Sequence, residues 1–283
     1  MKKAVPAPEF RRPEASKSLR FLYHTLPGRA LLSVLIRPGI SLAAGKFLSS
    51  RFSRVLIPSF VKNHHIDLNE AQKGAFTSFN DCFTRQLKKG ARPMDLTPEH
   101  LISPCDALLS VFEIERDATF SIKGTRYTLS RLLQKEMPSW DGGVCAIFRL
   151  TVSDYHRYCY PDNGTKGESK VLRGTFHTVN PIAQERYPIY HTNTREYTVL
   201  HTENFGDVIQ MEVGALLVGK IVNRQGNGAF LRGEEKGYFE FGGSTIVLLF
   251  QKDRVAFDEQ LFEYSRRGYE KKVRMGEKIG EKA

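Results

Sequence analysis

In YFEFGGSTIVLLF (Tyr238 to Phe250) a serine follows two glycines between two apolar runs. Both glycines tolerate positive φ, so the plain expectation is a tight hairpin turned at Gly242-Gly243, with Ser244 and Thr245 as ordinary strand residues. The sharper expectation uses the same freedom. With no side chain on residue 243, the Ser244 hydroxyl can approach the preceding carbonyl and attack it. LTVSDYHRYCYPDNG (Leu150 to Gly164) supplies His156 between Asp154 and Arg157. A histidine there serves as proton donor or base, or is simply hydrogen-bonded at a strand end. ISPCDALL (Ile102 to Leu108) places Asp106 after a Ser-Pro turn, where a carboxylate orients a base or merely caps the turn. In FNDCFTRQLKKGARPMD (Phe79 to Asp95) Arg85, Lys88, Lys89 and Arg92 cluster, and phosphate binding or plain solubility would each explain them. His64-His65 has no matching ligand set and reads as surface, so no metal is expected.

These residues need elements to hold them. After Pro93 the chain turns to short runs separated by Gly, Pro and Asn: ALLSVFEI, CAIFRLTV, DVIQMEV, ALLVGKIV, YFEF and TIVLLF. Those are strands. From Asp67 to Leu87, Ala71, Ala75, Phe76, Phe79, Phe83 and Leu87 recur at helical spacing, which predicts one helix over that span. From about Ser18 to Val61, apolar residues alternate with regularly spaced Arg and Lys, broken at Pro27-Gly28 and Pro38-Gly39; short amphipathic helices fit. The whole reads as α+β: a helical region, residues 1–95, then a mostly antiparallel, β-rich catalytic domain, residues 96–283.

Charge is concentrated at the front. Residues 1–60 hold eleven Lys and Arg against Glu9 and Glu14, a net +9 of the chain's +11. A solvated basic tail, a polyanion or an anionic membrane leaflet would each suit it. Lys46, Arg51 and Arg54 interleave with Phe47, Leu48, Phe52, Val55, Leu56 and Ile57, a pattern that serves a helix lying in a membrane interface or one packed on the domain's own core. No base-stacking or groove-reading motif accompanies the charge, which argues against nucleic acid. The apolar stretch Ala30–Gly45 is broken by Arg37, Pro38 and Gly39 and falls short of the roughly 20 residues a membrane span needs. The N-terminus lacks a secretory pattern. Cys82, Cys105, Cys145 and Cys159 are scattered without CxxC spacing. That argues against both a disulfide framework and a zinc site, and points to a reducing cytoplasmic compartment.

Taken in order, the segments from about residue 70 to 250 resemble phosphatidylserine decarboxylase proenzymes: FNDCFTRQLKKGARPMD, SPCDALL, IKGTRYTLSRLL, DYHRYCYPDNG, VNPIA, NTREYTVLHTENFGDVIQMEVGALLVGKI and KGYFEFGGSTIVLLF. The resemblance puts Gly242 to Thr245 at the processing motif. It implies that Ser244 attacks the Gly243 carbonyl, that the ester eliminates to a dehydroalanine, and that hydrolysis leaves a pyruvoyl group, the covalent cofactor. The chain would part between Gly243 and Ser244 into fragments of 1–243 and 244–283 that stay associated. Asp106 matches the relay carboxylate. The relay histidine of the family is the second of two spaced three apart; here the first is His156 and the second position holds Cys159, so His156 or a Cys159 thiolate would be the base. Ala107 replaces a glycine that usually follows the motif aspartate. Implied further are decarboxylation of phosphatidylserine to phosphatidylethanolamine, with His156 protonating the carbanion, and a peripheral enzyme on the cytoplasmic face of the cell membrane. Its partners would be anionic phospholipid and its own two fragments, with a homodimer left open. Two rivals remain: a pyruvoyl-dependent decarboxylase of a soluble amino acid, and an unprocessed, non-catalytic lipid-surface binding protein.

Overall fold

The computed structural model describes residues 8–122, 125–136, 140–216, 220–224 and 226–283. The front of the chain is a run of short helices: α1 (Lys17–His24), α2 (Leu26–Leu35), α3 (Pro38–Leu48) and α4 (Ile57–Asn63), with a 3-10 turn at Arg51–Leu56 between the last two. Local chemistry sets their limits. Ser16 and Thr25 cap α1 and α2 through their side-chain oxygens, and proline opens α3 where its missing N–H costs nothing. Gly28 is required at the α1–α2 joint, because a Cβ there would sit 2.0 Å from the Phe21 carbonyl oxygen. Helices α2 and α3 meet at a 70° bend, and among the described residues no single helix is long and apolar enough to cross a membrane.

The rest is a large antiparallel sheet with smaller ones against it, so the chain is α+β. In spatial order the central strands of the large sheet are Glu270–Val273, Ala107–Glu113, Val144–Leu150, Ser244–Phe250, Gly206–Val213 and Arg195–Thr202. Its middle is buried on both faces, with Gln210, Glu212 and Ser244 among the apolar residues there. A three-stranded sheet, ordered Ile221–Asn223, Glu235–Phe239, Arg157–Cys159, lies over one face. It is tied there by Gln210 Nε2, 3.5 Å from the Cys159 carbonyl, and by a buried Lys236–Glu212 ion pair at 2.8 Å.

The helical front is joined to this body. Phe10–Arg11 extends the large sheet by pairing with Lys271 and Glu270, and Tyr23 and Leu32 are buried in the main core. The other side of the same helices faces out, with Leu26, Phe52 and Val55 each more than three-quarters exposed.

Two sequence expectations fail. The helix over Asp67–Leu87 is instead a 3-10 turn at Leu68–Glu70 and a five-residue helix α5, Phe79–Phe83, started by the Ser78 cap. The chain doubles back around α5, so that Ala71 bridges Leu87 and Gln72 N donates to the Gln86 carbonyl. The helical spacing had mixed residues of different surroundings: Phe79 and Phe83 pack on Phe60 and Phe241, whereas Ala75 is exposed. The hairpin at Gly242-Gly243 is also absent. Glu235–Phe239 belongs to the small sheet and Ser244–Phe250 to the large one, so the glycines carry the chain across from one sheet to the other. Of ALLVGKIV, residues 217–219 lie outside the described residues and Ile221–Asn223 is strand; Lys123 and Gly124 of IKGTRYTLSRLL lie outside them too.

Candidate active site around Ser244

Ser244 opens the strand that runs down the middle of the large sheet, with Leu150 opposite it. Side chains alternate along a strand, so Ser244 shares a face with Ile246, and hence with Glu212 across the ladder. That is the face the small sheet covers. The Ser244 hydroxyl is wholly buried and has no hydrogen-bond partner. A buried hydroxyl without a partner costs on the order of 1–3 kcal/mol, and such groups are enriched where chemistry needs them. Just before it, Gly242 holds φ at 135°, which an L side chain would resist. A Cβ on Gly243 would come 3.5 Å from Val179 Cγ2, which places Val179 against the Gly243–Ser244 bond. Asn193 pins the chain just before Val179: its side chain accepts from His177 N at 3.0 Å and donates to the His177 and Gly214 carbonyls, both at 2.8 Å.

His156 lies beside the same turn. It precedes the strand Arg157–Cys159, and its carbonyl accepts from Phe239 N at 3.0 Å. The ring is fully buried. Nδ1 lies 2.9 Å from the Asp154 carbonyl and so donates to it, which leaves the Nε2 lone pair of the neutral ring without a partner. Burial pushes its pKa down to about 4; Asp154 and the nearby Gly242 backbone favour the charged form but do not offset the desolvation. A neutral imidazole with Nε2 free is the protonation state of a general base.

Asp106 is elsewhere engaged. Its carboxylate takes a forked bond from Arg92, at 2.7 to 3.0 Å, and a bond from Met275 N at 2.9 Å. The expected direct contact to His156 is not made: the Asp154 carbonyl orients that ring, while Asp154's carboxylate is held by Thr151 and Lys272. Cys159, at the second histidine position, is buried near Asp106. Burial and that negative charge push its thiol up to about 12, so it has almost no thiolate at neutral pH.

Helix α5 seals the site from the N-terminal side. The Phe83 ring is 4.1 Å from the His156 ring and 5.1 Å from that of Phe241. Asn80 Oδ1 accepts from Phe241 N at 3.2 Å, and its Nδ2 donates to Ser49 Oγ at 2.9 Å. One side chain thus connects the end of α3 to the residue before Gly242. Sequence reasoning passed over Asn80, Asn193, Val179 and Phe241. Only Ser78, a cap residue directly before Phe79, could have marked the start of α5.

The arrangement therefore sets a buried serine hydroxyl directly after a partly exposed glycine, with a buried neutral imidazole beside the Gly242 backbone. The phosphatidylserine decarboxylase family profile matches residues 79–281, most of the chain and every residue of this site. Over 266 residues, 93% of this chain and 91% of the relative, it is 49% identical to phosphatidylserine decarboxylase proenzyme 2 of Clostridium acetobutylicum. It is 40% identical to the phosphatidylserine decarboxylase proenzymes of Clostridium botulinum over 274 residues (94% and 93%) and of Clostridium tetani over 281 residues (97% and 95%). With the profile matching residues 79–281 and these relatives 93% or more of its length, the chain belongs to the phosphatidylserine decarboxylase family.

Proposed function

We propose that this protein is a proenzyme that cleaves itself between Gly243 and Ser244 and then decarboxylates phosphatidylserine to phosphatidylethanolamine at a membrane surface. The observation that carries the reading is that two buried side-chain atoms have no partner close to the Gly242-Gly243 segment: Ser244 Oγ, which directly follows it, and Nε2 of His156, whose ring lies near the Gly242 backbone. His156 takes the serine proton, Ser244 Oγ attacks the Gly243 carbonyl, and the peptide nitrogen leaves as the bond shifts from amide to ester. Loss of the Ser244 α-proton expels the Gly243 carboxylate, and hydrolysis of the resulting enamine releases ammonia and leaves a pyruvoyl group at residue 244.

The residues present fit that group: it needs a small residue before it, a dry pocket and no competing side-chain partner, and residues 243–244 meet all three. Its carbonyl supplies the electron sink for the pair left when CO2 departs. His156, with a proton gained at Nε2, then delivers it to the substrate carbon. Asp106 with Arg92 holds the wall behind Cys159 rather than the base itself. The exposed Leu26, Phe52 and Val55, next to Arg29, Arg51 and Arg54, support docking on an anionic leaflet of the cell membrane from its cytoplasmic face.

The test is intact mass measurement of purified protein, with and without a carbonyl-reactive amine. Two chains, the smaller starting at a residue 244 that adds the amine, are expected. A single uncleaved chain would overturn the reading and favour a lipid-binding protein without catalysis.

A further inference from the structure

Arg85 lies just beyond α5, in a run, 83–87, that follows residues 155–157 closely. Phe83 stacks on His156, the Thr84 carbonyl accepts from Arg157 Nε at 2.8 Å, and the Tyr155 hydroxyl reaches the Leu87 backbone. The Arg85 side chain is thus held in the wall that carries the base, and the residue is only 7% exposed. Its Nε has no partner, and its single hydrogen bond is a long one, 3.5 Å from Nη1 to the Cys82 carbonyl. The one carboxylate that acts on it, Asp106, is already committed to the Arg92 fork and makes no hydrogen bond to Arg85. Burial depresses the proton affinity of the guanidinium, and the charge of Asp106 does not offset it.

A buried cation left unpaired destabilises a fold, and well-packed apolar residues of the same volume are often better tolerated. Such a group persists where an outside anion completes it. We infer that Arg85 is the anion receptor of this site and that it takes the phosphodiester of the lipid headgroup. The inference rests on the function proposed above and adds to it the residue that recognises the substrate. A phospholipid with a serine headgroup offers two anions. Pairing a cation with the carboxylate would stabilise the charge that must be lost as neutral CO2, holding back the transition state relative to the bound substrate. The phosphodiester keeps its charge throughout, so an arginine fork on it binds without slowing the chemistry.

The test uses the self-cleaved protein and its Arg85→Met and Arg85→Lys variants, assayed on phosphatidylserine vesicles. Two soluble probes serve as inhibitors: glycerophosphoethanolamine, which has the phosphodiester and no carboxylate, and L-serine, which has the reverse. In Arg85→Met we expect KM to rise on the order of tenfold to a hundredfold with kcat within about threefold. Inhibition by glycerophosphoethanolamine should weaken in parallel and that by L-serine should not change, while Arg85→Lys recovers part of the loss. In a Ser244→Ala background, which stays intact, Arg85→Met should melt at or above the temperature of its parent, because it removes an unpaired buried charge. An unchanged KM, a loss confined to L-serine, or a marked fall in melting temperature would each overturn the inference. A wild type that decarboxylates beside an unaltered Arg85→Met sinks the inference alone; a wild type that never decarboxylates sinks the proposed function with it.

Discussion

The ring of Phe83 packs 4.1 Å from the ring of His156, so helix α5 lies as a lid over the buried imidazole. The lid is hydrophobic, and its effect is electrostatic: removing water is what holds His156 neutral with a pKa of about 4. Several outcomes follow from that single contact and its surroundings.

A base with a pKa near 4 is fully deprotonated at neutral pH. The self-cleavage rate should therefore be flat from about pH 6 to 8 and fall only as pH drops through the region of 4 to 5. Were Cys159 the base, with its thiol at about 12, the rate would climb nearly tenfold for each pH step over the same range. Timed gels of freshly refolded precursor across pH distinguish the two. Cys159→His should retain or speed cleavage.

The same shift governs stability. His156 has a lower pKa folded than unfolded, so the unfolded chain binds more protons between about pH 4 and 6.5. Its contribution to stability is complete above 6.5 and is lost as pH falls toward 4. His177 and His191, also lowered to about 4 by burial, act in the same sense. Thermal melts of the Ser244→Ala precursor should drop steadily from pH 7 to pH 5. A melting temperature that rises on acidification contradicts the buried neutral state.

Ser244→Ala removes a buried hydroxyl that has no partner. It should abolish cleavage and decarboxylation while leaving the fold as stable or more stable, by about 1 kcal/mol. Intact mass and calorimetry on the same sample check both halves; appreciable decarboxylation by this variant would remove Ser244 from the chemistry.

Asp106→Ala removes the fork on the mostly buried Arg92 guanidinium and leaves it Glu70 alone, at 3.1 Å. Stripping one partner from a buried pair costs about 3–5 kcal/mol when no other charge remains, so with Glu70 in place this variant should melt below its parent by less than that. Equal melting temperatures would show the pair to be energetically idle and return Asp106 to a purely catalytic role.

Phe52→Ser with Val55→Ser removes two exposed apolar residues far from Ser244 in sequence. Flotation with anionic phospholipid vesicles should fall on the order of tenfold, with self-cleavage unaltered. Unimpaired flotation would move the docking surface elsewhere on the molecule.

Much of this was legible in the residues. The helices between Ser18 and Val61 follow from their breaks at proline and glycine, and strands such as Ala107–Glu113 and Val144–Leu150 from their apolar runs. What failed were partnerships. Nothing local says that Glu235–Phe239 and Ser244–Phe250 join different sheets, because Gly-Gly suits a crossover as well as a hairpin. The helix predicted over Asp67–Leu87 shared its apolar spacing with a loop that folds back on itself. Asp106 was recognisable by type, yet its partner Arg92 lies fourteen residues away across a turn, and His156 is oriented by a backbone carbonyl that no side-chain pattern records.

The strand Ser244–Phe250 lies between Val144–Leu150 and Gly206–Val213, hydrogen-bonded on both sides. Until the ribosome has delivered it, those two neighbours have bare edges and a gap the width of one strand between them. Under the proposed function, Ser244 is the first residue of the strand that fills that gap, so self-cleavage would wait until the strand is seated. A reactive carbonyl would then be made only in a chain whose two half-sheets are already joined.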